Sequence, residues 1–375
     1  VADTLLTRAD LPDLALGCAV FGTGGGGDTA ADLLAADHAL AVHGDVPLIR
    51  FADLPPDSLV LPLSMIGAPT AGLEMLGSGR EATSLRAEVE RATGRPVAAV
   101  MALEIGGANG LAPVGWAAQL GLPLLDADGM GRAFPELQMV SMHVMGIPAE
   151  TVFMVDALGN TATLRPVDSA WSERWARALC VASGASALIA DYQLTGGDGH
   201  AVIHGSVSRA LRVGRLLRTA ERPVDALVAE LGATRLITGT VEDVVRDTRD
   251  GFVKGALHVR GHGTDQGRRI TVDLQNENLV VREEGNVLAG VPDLIGVLDT
   301  ETGIAIATEA LRYGQRVTVL AWPCDPLWRT PRGLETAGPA AFGYAHPYVP
   351  VGSTAVPVGA ATLAGSAAHE RQPAR

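Results

Sequence analysis

The stretch Leu14–Val42, LALGCAVFGTGGGGDTAADLLAADHALAV, carries the first decision about the fold. Leu14 to Gly22 is a short apolar run stopped by glycines and reads as a buried strand. From Thr29 to Val42 apolar positions recur at helical spacing, with Asp28 or Thr29 placed to cap a helix. Between them lies Gly22-Thr23-Gly24-Gly25-Gly26-Gly27-Asp28. A glycine-rich turn entering a helix exposes backbone N–H groups at the positive helix end, which suits a carboxylate, an amide oxygen or an oxyanion. Gly24, Gly25, Gly26, Gly27 and Asp28 are therefore candidate substrate-binding residues. The Lys-Ser/Thr pair of a P-loop is missing, and no acidic ribose reader follows the G-x-G-x-x-G spacing of Gly22, Gly24 and Gly27. A tight turn needing positive φ is the plainer reading, yet four consecutive glycines exceed what one turn requires.

Outward from this stretch, strands alternate with helices. Strands are expected at Ser58–Met65, Val97–Leu103 and Leu122–Leu125, helices at Glu81–Ala92 and Pro113–Leu120, and a hairpin around Gly159-Asn160. This predicts an α/β domain over residues 1–166. Beyond it, helices at Trp171–Val181, Val207–Leu217 and Val224–Leu231 give way to closely spaced strands from Thr234 to Ala321. That predicts a β-rich, barrel-like domain with a few helices over 167–348, followed by a disordered tail, 349–375, rich in Ala, Gly, Ser and Pro.

The chain has 375 residues and a net charge of −13, with 47% hydrophobic residues. Wholesale disorder is excluded, and an acidic surface repels phosphate backbones. The expected partner is a small-molecule substrate, with no nucleic acid and no membrane, and with a homo-oligomer left open. Ile105–Leu125 is uncharged for 21 residues, but its glycines and prolines read as turns and a short helix in a soluble core. Three scattered cysteines, Cys18, Cys180 and Cys324, without a CxxC, point to a reduced, cytoplasmic setting, and the charged N-terminus does not read as a signal peptide.

Three further segments carry chemistry. Glu104, in Glu104-Ile105-Gly106-Gly107-Ala108-Asn109, ends a predicted strand, where a carboxylate points into the crevice that α/β sheets use for ligands. Asp126 and Asp128, in DADGMGRAFPE, share a strand face, which suits a divalent cation or a carboxyl of raised pKa, with Arg132 beside them to neutralise the pair or clamp a carboxylate. His143 lies among Met and Val as a ligand, a proton shuttle or a satisfied core residue. The candidate catalytic residues are Asp126, Asp128, His143 and Glu104, with Asn109 and Arg132 added to the glycines for substrate binding. The same four are the candidate ligands if a divalent metal such as zinc is used; the cofactor is otherwise unknown. The alternatives are a turn cap for Glu104 and an Asx-turn with a salt bridge for the aspartates. His200 and His204 stand four apart, but flanking glycines argue against a helix, and Cys324 has no evident His partner.

GTGGGGD (Gly22–Asp28), MIGAP (Met65–Pro69), EIGGANG (Glu104–Gly110) and DADGMGRAFPELQM (Asp126–Met139) resemble the family labelled DUF917, now named after S-methyl thiohydantoin desulfurase. IGVLDTETG (Ile295–Gly303), YGQRVTVLA (Tyr313–Ala321) and GPAAFGY (Gly338–Tyr344) extend the resemblance over Leu11–Tyr344. It implies an N-terminal α/β domain, a β-rich C-terminal domain, and hydrolysis of an S-methylated thiohydantoin or related hydantoin-like ring with release of a thiol. A non-catalytic small-molecule-binding or regulatory protein and an amide-ring-opening hydantoin hydrolase are the competing readings.

Overall fold

The computed structural model describes residues 4–67, 77–249, 252–353 and 356–357. Ala68 and Pro69 of the MIGAP run, and the tail from 358 onward, lie outside the described residues. The first sheet contains β1 (Thr4–Leu6), β2 (Val46–Ile49), β3 (Leu59–Gly67), β4 (Val97–Ala102), β5 (Leu124–Asp128), β6 (Val152–Asp156), β7 (Thr161–Leu164) and β8 (Ser186–Ala190), in the order β1-β2-β5-β4-β3-β8-β6-β7. Two short strands join it, β9 (Leu194–Thr195) on β3 and β10 (Ile203–His204) on β5. The β2-β5-β4-β3 centre is parallel and the flanks are antiparallel. Residues Leu59 to Ser64 are buried without alternation, as expected where both faces of a parallel strand are covered.

Leu11–Phe21 is a helix (α1), not the expected strand. Pro12 sits in its first turn, where a missing N–H costs nothing. Its buried residues include Leu11, Asp13, Leu14, Ala15, Gly17, Cys18, Val20 and Phe21, so no single apolar stripe announces a helix. The cause is packing on more than one side: α1 contacts α2 (Thr29–His43), α4 (Ala108–Leu120) and, most closely, α7 (Ser206–Thr219). At the α1–α7 crossing a Cβ on Gly17 would fall 1.8 Å from Ala210 O, and one on Gly214 would fall 1.6 Å from Asp13 O, so the two backbones touch. The expected helix at Pro113 begins earlier, at Ala108, and Pro113 lies inside it. Helix α3 (Glu81–Thr93) ends as expected on Gly94, in the left-handed region.

The second sheet is antiparallel: β16 (Leu294–Asp299), β17 (Arg316–Trp322), β11 (Thr234–Arg249), β12 (Phe252–Gly261), β13 (Arg269–Gln275), β14 (Glu277–Glu283), β15 (Asn286–Gly290) and β18 (Val356–Pro357), in that order. It curls into a half-barrel: β14 and β15 return to lie against β16, and Asn278 Nδ2 donates to Ile295 O at 3.0 Å. Ile237, Leu257, Val259, Val272, Val281 and Val319 fill its interior. The architecture is thus the expected α/β domain followed by a β-rich one.

The expected division near Arg165–Asp168 separates runs of elements but not the sheet. Strand β8, beyond it, lies between β3 and β6, and β9, β10, α6 (Ser169–Ala182) and α7 also pack with the first layer, while α8 (Pro223–Leu231) packs on α7 and on β17 of the second sheet. At the start of the expected tail, Val349 is buried and the Val351 N–H donates to Asp293 Oδ2 at 2.8 Å. Among the described residues no helix is long and apolar enough to cross a membrane.

Candidate functional site

Strands β4 and β5 run side by side, so the residues that follow them emerge together. Asp128 is fully buried, and its Oδ2 accepts the N–H groups of Ile105 (2.9 Å), Met130 (3.0 Å) and Gly131 (2.7 Å). Burial pushes its pKa up to about 7, against the pull of those three donors. Glu104 is 6% exposed; its Oε1 accepts from Asn109 Nδ2, and Asn109 Oδ1 accepts the Met65 N–H at 2.8 Å. Burial pushes Glu104 up to about 8, partly offset by the Asn109 amide and the Phe134 N–H and reinforced by Asp128.

The glycine turn follows α1 and packs directly on Gly106-Gly107. A Cβ on Gly26 would lie 2.4 Å from Gly106 O, and Gly107 N donates to Cys18 O at 2.7 Å. Gly24, Gly26 and Gly27 all have positive φ. Close approach and turn geometry thus account for much of the glycine content. Even so, the amides of Gly24, Gly26 and Gly27 donate to no protein acceptor among the described residues, so the turn retains donors for an oxygen ligand.

The far wall of this turn comes from the second domain. The Asn278 N–H donates to Thr23 O at 2.8 Å, and the Thr308 N–H to Gly24 O at 2.8 Å. Glu277, 3% exposed, lies against Gly25: a Cβ there would be 2.1 Å from Glu277 Oε1. Among the described residues Glu277 Oε2 has no hydrogen-bond partner. Its pKa is raised well above the usual carboxyl range by burial and by the neighbouring Glu104, against the opposing pull of Arg132.

Arg132 is fully buried at the same junction. It donates to Ala133 O (2.9 Å), Pro292 O (3.1 Å), Asp293 O (2.8 Å) and Thr23 Oγ1 (2.9 Å), and its guanidinium sits 4.5 Å from the Phe134 ring centroid. Burial lowers its pKa to about 10, opposed mainly by Glu277. The acids whose charge acts on this buried cation are Glu277, Asp293 and Glu104. Arg132 brings one positive charge to this cluster, and burial raises the proton affinity of Glu104 and Glu277.

The structure brings Glu104, Asn109, Asp128 and Arg132 to the glycine turn, and it places the other candidates elsewhere. Asp126 Oδ1 and Oδ2 accept the N–H and hydroxyl of Ser208 at 2.9 and 2.6 Å, at the start of α7. Asp28 is exposed and caps α2 through the Ala30 N–H at 2.9 Å. His143, on the short helix α5 (Ser141–Val144), has Nδ1 3.1 Å from Ser169 Oγ and lines a cavity of about 380 Å³ with Glu136, Gln138, Arg332 and Glu335. Burial and Arg332 lower the His143 pKa. Among the described residues no group of three or more His, Cys, Asp or Glu side chains is arranged to hold a metal ion. The three cysteines are free and buried, and burial pushes Cys324 up to about 12.

Sequence reasoning missed Glu277. Its signal was the polar run Gln275-Asn276-Glu277-Asn278 set between apolar strand residues. Asn276 turns the chain with φ of +56°, so the acid that follows is aimed back into the protein.

Comparison with known proteins places this geometry in context. None of the curated proteins matches the chain. A crystal structure of a protein from Chromobacterium violaceum superposes with a TM-score of 0.75 at 26% identity, covering 93% of this chain and 100% of that one. Two family models divide the sequence between them: the S-Me-THD-like N-terminal domain matches residues 9–166, and the S-Me-THD-like C-terminal domain matches residues 167–351. With almost the whole chain matched in order, from the glycine turn through Glu277 to Asp293, the protein belongs to the S-Me-THD-like family.

Proposed function

We propose that the protein hydrolyses an S-methylated thiohydantoin, or a related hydantoin-like ring, at the junction lined by Glu104, Glu277 and the Gly24–Gly27 turn. One observation carries the reading: two buried carboxyls of raised pKa, one from each domain, flank a turn with free amides. A ring carbon joined to nitrogen and to sulfur is electrophilic. Glu104 in its carboxylate form takes a proton as water oxygen bonds to that carbon. Glu277 in its acid form protonates the sulfur as the C–S bond breaks and methanethiol leaves. The remaining water proton ends on the ring nitrogen, giving the hydantoin, and the proton held by Glu104 passes back to Glu277 to restore the starting state. The amides of Gly24, Gly26 and Gly27 hold a ring oxygen as negative charge develops. Asp128 fixes Ile105 and the turn after Gly129, and so positions Glu104. Arg132 supplies the compensating charge.

The test is incubation with an S-methyl thiohydantoin while free thiol is trapped and the ring product identified. Thiol and hydantoin in equal amounts are expected. Glu104→Gln and Glu277→Gln should each lower kcat by about 10²–10⁴-fold, the usual range for a general acid or base, with the fold retained by circular dichroism. A ring-opened acid without thiol would instead indicate amide hydrolysis, and neither product would indicate a binding protein.

A further inference from the structure

A second place where the two domains meet lies at α5. Helix α9 (Pro331–Ala337) packs on α5, and its Arg332, Glu335 and Thr336 share one face by their spacing of three and four. That face meets Gln138 and His143 across the cavity of about 380 Å³. A further cavity of about 300 Å³ adjoins it and reaches Asp168 and Ser169, at the start of α6. His143 and Arg332 line both. Each is of a size that takes a small molecule, and neither is lined by Glu104, Glu277 or the glycine turn.

The smaller cavity gathers donors. Arg332 reaches over Gly146, where a Cβ would lie 3.4 Å from its Nη1, and its guanidinium forms no ion pair or hydrogen bond among the described residues. Asp168 Oδ1 takes the Trp171 N–H at 2.9 Å, while the amides of Ser169 and Ala170 donate to no protein acceptor among the described residues. Tyr192, 1% exposed, turns its hydroxyl toward Ser169 and makes no well-formed hydrogen bond among the described residues. A free guanidinium, two amides at the positive end of a helix and a buried hydroxyl suit a carboxylate. The acids on this side, Asp168 and Glu150, are exposed to water. The larger cavity gathers acceptors. Glu136 and Glu335 line it, and Gln138, whose amide nitrogen donates to Glu136, keeps a buried Oε1 without a partner among the described residues. Two carboxylates and a free carbonyl suit an ammonium group. A simple anion would meet Glu136 and Glu335, and a simple cation would meet Arg332. A ligand that carries both charges avoids either conflict.

We propose that the two cavities form one binding site for a free amino acid, its carboxylate held by Arg332 and the start of α6 and its ammonium by Glu136, Glu335 and Gln138. His143, with Nδ1 3.1 Å from Ser169 Oγ, stands where the two cavities join. The ligand would thereby bridge segments matched by the two family models.

The test needs no turnover, so it stands or falls apart from the proposed reaction. Each of the common L-amino acids is titrated into the full chain by isothermal calorimetry, up to millimolar concentration, and at least one should bind. The α-amide and the N-acetyl derivative of the best binder each lack one of the two charges. Both should bind about tenfold more weakly or worse, as expected when a charged partner is left unpaired. Arg332→Gln should weaken the parent amino acid by about the same factor and leave the α-amide unaffected, since the amide has no carboxylate to lose. Glu335→Gln should weaken the parent amino acid and leave the N-acetyl derivative unaffected. Both positions are exposed, so the variants keep the fold. Absence of binding by every amino acid overturns the proposal. So does equal binding of the parent and either derivative, or an affinity that Arg332→Gln leaves unchanged.

Discussion

Two buried carboxylate sites lie at the same domain junction, and they are built in opposite ways. Asp293 is fully buried and fully served: Oδ1 accepts from the Cys324 N–H (3.0 Å) and Arg329 (3.1 Å), and Oδ2 from the Val351 N–H (2.8 Å). Glu277 is as deeply placed and leaves an oxygen unpaired among the described residues, with another acid rather than a cation as its main electrostatic neighbour. The first arrangement ties three segments of chain together. The second costs stability, and such a cost persists where the group has chemistry to perform. Burial alone therefore does not distinguish the two acids; the pairing of their oxygens does.

That contrast can be broken by mutation. The largest effect on stability belongs to Asp293→Ala, which orphans three donors, one of them charged, and should cost about 3–5 kcal/mol in urea denaturation. A loss below about 1 kcal/mol would remove the contrast. Glu104→Gln should go the other way. The folded pKa of Glu104, about 8, lies above the unfolded value, so the native state holds the extra proton. The native protein should then lose stability as pH rises from about 4.5 to about 8, by roughly 2–4 kcal/mol, and Glu104→Gln should flatten that slope. Denaturation midpoints at both ends of the window check it. Gly25→Ala pushes a methyl into Glu277 and should cost about 1–3 kcal/mol in stability, with thiol release falling further than stability explains. Asp126→Asn is the mild case: it weakens a cap on α7, costs about 0.5–2 kcal/mol, and leaves kcat within a few fold. A collapse of kcat there would return Asp126 to the active centre.

The legible parts of the sequence were those with one dominant period or one unambiguous breaker. Helix α2 follows its spacing from Thr29, α3 stops at Gly94, and the strands of the second domain fall between turn residues. Helix α1 was illegible because it is buried on several sides, which turns a helical pattern into a plain apolar run that reads equally as a strand. Strand β8, SALIA, is short and gives no alternation, so its insertion between β3 and β6 left no local trace. Of the site, Glu104, Asp128 and the glycines were legible because each sits where a strand or helix gives way to glycine. Asp126 resembled Asp128 in sequence because both point to one face. The start of α7, contributed by a segment some 80 residues later, is what distinguishes them, and no local pattern encodes it. Glu277 required knowing that the half-barrel closes over the turn.

The position of β8 has a practical consequence for anyone who would dissect the molecule. A gene cut after residue 166 would produce a polypeptide missing a central stave of its own sheet, together with the helix that clasps α1 through Gly17 and Gly214. The other fragment would carry those pieces with nothing to dock on. The two family models meet between residues 166 and 167, where the first sheet still lacks β8, so co-expression of the fragments is the form in which a split version of this protein should assemble.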